Sequence, residues 1–258
     1  MMRSILLFLL VLVTTSTHAQ TMDSIEDQIL RYLDTIEQYR NPSYQINDSS
    51  ISNDANYNLM IYLDDVCKRE PNTLNEKFQK LIKRGVVSTS NDHKFRIYSW
   101  DNQRGGTMRC YNSILQYRIG KLTRTKILYI DTGEASERGI GADYNIIHTI
   151  TTNTNRTIYL VERDGIYMSS YGSVGIKAFE ITAMGINDSV KIFKTSKAFL
   201  NNIDCSYYYS DTIPNKLYLS KDKKTVYIPL TNANEQLTGK HLLYKFDGEK
   251  FVYSGVSK

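Results

Sequence analysis

Carboxylates are the only side chains in this 258-residue chain placed where they could support catalysis. Asp101, Asp131, Glu134, Glu137 and Asp143 fall in polar, glycine-bearing stretches that read as loops. Hydrolysis by two carboxylates needs a pair about 5–9.5 Å apart, one of them holding its proton near neutral pH. The sequence allows Asp101 to pair with an acid from the 131–143 loop, D-T-G-E-A-S-E-R-G-I-G-A-D. Loop acids are more often simply solvated, so the reading favoured here is non-catalytic.

Other chemistries lack their motifs. There is no G-x-S-x-G, no H-E-x-x-H, no C-x-x-C and no G-x-x-x-x-G-K-[ST]. Gly139-Ile140-Gly141 lacks a third glycine and a following helix, so it does not read as a dinucleotide site. His93, His148 and His241 have no cysteine or histidine at metal-ligand spacing. No cofactor is expected. Of the three cysteines, Cys67 sits in a helical pattern and reads as buried and reduced. Cys110 and Cys205 lie on strands and could pair, leaving one free thiol.

The stretch Ser90–Met108 organises the chain. From Lys94, Phe95, Ile97 and Ser99 share one face, and Lys94, Arg96, Tyr98 and Trp100 the other. Period-two alternation predicts a strand with one face on a core. The second face reads as a cross-strand ladder covering the sheet, or as a ligand platform built on Tyr98 and Trp100. Asp101 to Gly106 then breaks the strand, and paired glycines allow positive φ and close approach. Tyr98, Trp100, Asp101, Arg104, Gly105 and Gly106 are therefore the candidate binding residues. An Arg over an aromatic ring adds roughly 0.5–1 kcal/mol at an exposed site.

A polar lead-in recurs before strands. Ser90-Asn91-Asp92-His93-Lys94 precedes Phe95, and Ser220-Lys221-Asp222-Lys223-Lys224 precedes Thr225-Val226-Tyr227-Ile228. Thr152-Asn153-Thr154-Asn155-Arg156, before Thr157-Ile158-Tyr159-Leu160, is a looser copy. Starts 62 and 68 residues apart make the repeating unit a multi-strand sheet. This pattern resembles the S-x-D-x-K lead-in common in β-propeller blades, over about five residues per copy. The segments R-I-Y-S-W-D and G-G-T-M also resemble secreted proteins of uncharacterised function. That resemblance implies no activity.

These residues need positioning elements. Residues 1–19 carry Arg3, an unbroken apolar run Ile5–Val13 and a small-residue end at Ala19, which predicts a signal peptide cleaved after Ala19. Nine residues are too few to cross a ~30 Å bilayer core as a helix. Residues 20–86 read as helical. Ile25, Ile29, Leu33 and Ile36 stripe a helix over 22–39, capped by Asp23 or Ser24; residues 43–52 read as a linker. A second helix is expected over 54–69 with Tyr57, Met60, Ile61 and Val66 inward. Thr73-Leu74-Asn75-Glu76 reads as a capping box opening a third, stopped by Gly85.

Beyond Val86 the period is two. Gly120-Lys121, Asp164-Gly165, Gly185–Asp188 and Asp247-Gly248 read as turns between strands, giving about a dozen antiparallel strands over 87–258. The expectation is a mainly β protein, propeller-like or a sandwich, preceded by about three helices. Closed propellers usually need at least four blades, so three four-strand units would make an open stack unless the N-terminal segment completes the ring. Twenty tyrosines against four prolines suit sheets and leave a glycan-binding role open. The net charge of +5 has no cluster behind it, so no nucleic-acid partner is expected, and no membrane span. The reading is an exported protein, periplasmic or extracellular, serving as a binding or structural module of the cell envelope, with a glycan or envelope protein as partner. A secreted two-carboxylate hydrolase and an exported inhibitor or immunity-type protein are the alternatives.

Overall fold

A computed structural model of the chain describes residues 21–40, 49–131, 141–214 and 216–257. The expected signal peptide, most of the 43–52 linker, and Glu134 and Glu137 lie outside the described residues.

Helical spacing does give way to pleated spacing at Val86. The first helix, α1 (Met22–Arg40), buries Ile25, Ile29, Leu33 and Ile36 as the stripe predicts. Its cap is Thr21, whose Oγ1 accepts the Ser24 amide at 3.2 Å, rather than Asp23 or Ser24. The second, α2 (Ser49–Arg69), begins earlier than expected. It buries Leu59, Met60, Leu63, Val66 and Cys67, while Tyr57 and Ile61 are exposed. The stripe turns because α2 packs on α1 and on the sheet beneath it at once.

The third helix does not start at a capping box. Pro71–Leu74 is a 3₁₀ turn, and α3 spans only Gln79–Lys83. The intervening chain is pinned by the Arg96 guanidinium, which donates to the carbonyls of Thr73 and Glu76. In place of a local cap, Glu26 of α1 accepts the Lys80 and Leu81 amides at 2.8 and 3.1 Å. At the other end Gly85 takes φ +72°, and the Val86 amide bonds Leu81 O, as a Schellman stop requires. Arg84 ties this end back to α1 through Asp34 and Glu37, at 2.6 and 2.7 Å.

Three mainly antiparallel sheets follow. The first runs β1 (Val87–Thr89), β2 (Phe95–Asp101), β3 (Tyr111–Ile119), β4 (Leu122–Tyr129) in that order. The second joins β5 (Asp143–Thr151), β6 (Thr157–Met168), β7 (Tyr171–Thr182) and β11 (Asn202–Tyr208), with β8 (Gly185–Asn187) on β7. The third carries β12 (Tyr218–Leu219), β13 (Thr225–Thr231), β14 (Leu237–Phe246) and β15 (Phe251–Val256). It is extended by β9 (Phe193–Lys194), which lies parallel to β15, and then by β10 (Phe199–Leu200).

The polar lead-ins are the hairpin turns between the first and second strands of the sheets. Ser90 Oγ donates to Asp92 Oδ1 at 2.6 Å and accepts the Phe95 amide at 3.1 Å. Ser220 repeats this on Asp222 and Thr225 at 2.5 and 2.9 Å. His93 and Lys223, at equivalent places, both take positive φ, 52° and 58°. Thr152 closes its turn through the Arg156 amide at 3.1 Å, and Asn232–Gln236 closes a fourth turn of that shorter kind.

The layers stack in one direction. One face of β2 presents Arg96, Tyr98 and Trp100 to the helices; Phe95 and Ile97 meet Tyr144, Tyr159, Val161 and Phe179 of the second sheet. The opposite face of the second sheet packs Ile158, Leu160 and Ile176 on Val226, Ile228 and Phe251 of the third. Among the described residues no sheet closes into a barrel or ring. Asp164-Gly165 is not a turn: β6 runs straight through it to Met168. A Cβ on Gly165 would lie 2.8 Å from Ser173 Oγ, so glycine serves cross-strand approach there. Asp247-Gly248 does turn, with Asp247 Oδ1 accepting the Glu249 and Lys250 amides at 2.9 Å.

Candidate functional site

Tyr98 and Trp100 are 1% and 3% exposed, so they are no open platform. The helices cover that face of β2. Trp100 Nε1 donates to Asn56 Oδ1 of α2 at 2.9 Å, and Asn112 Nδ2 reaches the same oxygen at 3.3 Å. Arg96 packs its guanidinium 5.2 Å from the Phe78 ring centroid and 5.8 Å from that of Tyr98. The cation-and-ring interleaving is a core device.

The 101–106 loop is fastened to itself. Asp101 Oδ2 takes Arg109 Nη1 at 2.5 Å, and Asp101 Oδ1 accepts the Gln103 amide at 2.8 Å. Arg104 Nη1 donates to Asp131 O at 3.0 Å. A Cβ on Gly105 would fall 2.0 Å from Met108 O, so that glycine permits the loop's own closure; Gly106 takes φ +64°. Trp100 and Asp101 line a cavity of about 140 Å³ with Ser99, Tyr111, Arg84 and Asp143. Asp101 and Asp143 thus line the same cavity, while Asp131 is held by Arg104. Among the described residues no disulfide forms, and Cys67, Cys110 and Cys205 are buried thiols.

A larger cleft, about 520 Å³, lies on the second sheet toward the third. Its floor is β6 and β7; Asn145 comes from β5, Tyr207 from β11, Tyr209 from just beyond it, and Lys216 from the segment before β12. On β6 the side chains facing the third sheet begin with Ile158 and Leu160 in the core. The same face then carries Glu162 and Asp164 into the cleft. Two irregularities flank this place, register shifts around Asn145 and around Tyr167. Bulges of this kind re-aim a side chain beside a site. Asn145 Nδ2 accordingly donates to Asp164 Oδ2 at 2.6 Å. His148 Nε2 meets Glu162 Oε1 at 2.7 Å. Tyr209 stands over bare backbone: a Cβ on Gly172 would lie 2.4 Å from its Oη. Gly175 leaves room for Asp204, which binds Arg163 across it at 2.5 Å on the sheet's other face.

The electrostatics are acidic. Asp143 and Asp164 are direct cross-strand partners. Burial, then the Asp143 charge, pushes Asp164 up to about 6, against the Asn145 hydrogen bond. Burial also raises Asp143, opposed by the Ser99 hydroxyl that donates to it at 2.9 Å. Burial raises the Tyr111 phenol, helped by Asp143, Asp101 and Asp164. Among the described residues no group of three or more His, Cys, Asp or Glu side chains could hold a metal ion. The Glu162–Asp164 pair was not singled out from sequence, because Asp164-Gly165 reads as a turn. The available signal was two acids, at i and i+2, continuing the buried face of Ile158 and Leu160. No family model and no curated protein matches this chain.

Proposed function

We propose that the protein is an exported, propeller-like β module that binds a hydroxyl-rich ligand, a glycan of the cell envelope, in the cleft beside Tyr209. The cleft itself carries the reading. About 520 Å³ lies within the range of small-ligand sites, and its lining combines rings with convergent polar groups. Tyr209 offers an apolar face with a wet tip, and Tyr207, buried in the core, packs edge-on against it. Asn145, Glu162, Asp164 and Lys216 offer acceptors and donors suited to sugar hydroxyls. Three stacked sheets of four, five and six strands, each with a polar turn between the first two strands of its meander, support the propeller-like description as an open stack rather than a ring. The apolar run Ile5–Val13 supports export, and among the described residues no helix is long and apolar enough to cross a membrane.

Calorimetric titration with soluble oligosaccharides, neutral and amino-substituted, tests this. Saturable binding at millimolar concentration or below is expected for at least one. Absence of heat with every member of both classes contradicts the proposal.

A further inference from the structure

The arrangement of acids in this cleft goes beyond recognition. Resting on the glycan-binding reading, we infer that the cleft hydrolyses a glycosidic bond, with Asp164 as general acid and Glu162 as general base. Both project from one face of β6, two residues apart, into the same cavity. Same-face neighbours on a strand are roughly 6.5–7 Å apart. That is the Cα interval, and carboxyls carried at the same interval fit the ~6.5–9.5 Å separation that leaves room for a water, and so an inverting outcome.

The environment divides the two roles. Asp164 faces Asp143 directly across the ladder, a like-charge juxtaposition that costs stability wherever both are ionised. Asn145 fixes its orientation, and burial favours its protonated form. Glu162 is instead oriented by His148 at 2.7 Å. The charged groups around Asp164 are Asp143 and Glu162 on its own sheet, and Lys216 on the facing segment. Arg163 is turned to the other face on Asp204, and Arg109 is bound to Asp101. Burial and the facing Asp143 thus favour the proton on Asp164, as a general acid requires, while His148 holds Glu162 in place as the base.

In the step, Asp164 passes its proton to the bridging oxygen as the bond from that oxygen to the anomeric carbon breaks, the electron pair staying on oxygen. Glu162 takes a proton from water as the water oxygen bonds the anomeric carbon from the opposite face. One water is consumed and two hydroxyl-ended fragments leave. Asp164 ends ionised and Glu162 protonated, and exchange with solvent restores both. Tyr209, stacked over the floor, positions the ring.

The test measures turnover and binding separately, on the wild type, Asp164→Asn and Glu162→Gln. The probes are the oligosaccharides of the titration and a set of 4-nitrophenyl glycosides. Wild type should release reducing ends, with the anomeric configuration inverted by NMR. D164N should lose at least 100-fold on oligosaccharides and much less on 4-nitrophenyl glycosides, whose leaving group needs little protonation. E162Q should lose at least 100-fold on both. The wild-type rate should fall as pH rises through about 6, a limb absent from D164N. Oligosaccharide binding without release of reducing ends overturns hydrolysis and leaves the binding reading standing. An undiminished rate in D164N overturns the assignment of Asp164 as the general acid. No binding by any probe removes both.

Discussion

Asp143 and Asp164 stand directly opposite each other on β5 and β6, two partly buried carboxylates sharing one rung of the second sheet. The pair links the small cavity beside Asp101 to the larger cleft beside Tyr209, because each acid lines one of them.

This rung sets a pH dependence of stability. Asp164 is raised to about 6 in the folded state, from an ordinary value near 3.8. A raised acid favours folding when protonated, so its contribution is fully present below about pH 4 and lost as pH rises through about 6. Asp164→Asn removes the charge but keeps the shape. At pH 8 it should stabilise by roughly 1–2 kcal/mol, a Tm rise of about 2–8 °C for a domain of this size. At pH 4 the gain should vanish. Thermal melts of both proteins at the two pH values check this, and an equal shift at both would refute it.

Glu26 replaces the expected capping box. Its Oε1 receives two amides of α3 across the helix pair. Glu26→Ala should cost about 1–3 kcal/mol, because one buried and one half-buried donor lose their acceptor. Glu26→Gln should cost less, since an amide oxygen still accepts. Urea unfolding, with the midpoint moving and the slope constant, is the measurement.

Asn56 is the hub under the helices. It accepts from Trp100 and Asn112, and donates to Ser52 O and Asn102 O at 3.0 Å each. Asn56→Leu should destabilise by about 2–4 kcal/mol, since the indole N–H and the Asn102 carbonyl are left buried without it. In wild type, Trp100 emission should be that of a buried indole and should stay unchanged on glycan binding. A ligand-dependent shift of that emission would place the site at β2 instead.

Cys67 should be inert. Burial pushes its thiol up to about 12. Thiolate is the reactive form, so alkylation at pH 8 should reach Cys67 only on the timescale of unfolding. Mass spectrometry after timed alkylation, native and in denaturant, reads it directly.

Much of the fold was legible because it rests on local periodicity. Ile25 to Ile36, the alternation from Phe95 to Trp100, and the Ser90 and Ser220 turns each carry their geometry in a few neighbouring residues. What was not legible depended on distant partners. The start of α3 is decided by Arg96 and Glu26, both far along the chain from Thr73. Tyr98 and Trp100 have the composition of a binding face, yet two helices from elsewhere cover them. The Asp-Gly pair in β6 has turn chemistry, but pairing with β5 and β7 along its length holds it extended. Asp164 was hidden inside that misread turn, which parted it from Glu162 at the end of the preceding strand.

The central claim is the place of the site. Calorimetric titration of wild type, Tyr209→Ala and Trp100→Phe with the same oligosaccharide tests it most directly. The account predicts at least tenfold weaker binding for Y209A, and W100F indistinguishable from wild type. Unchanged affinity in Y209A, or loss confined to W100F, would contradict it.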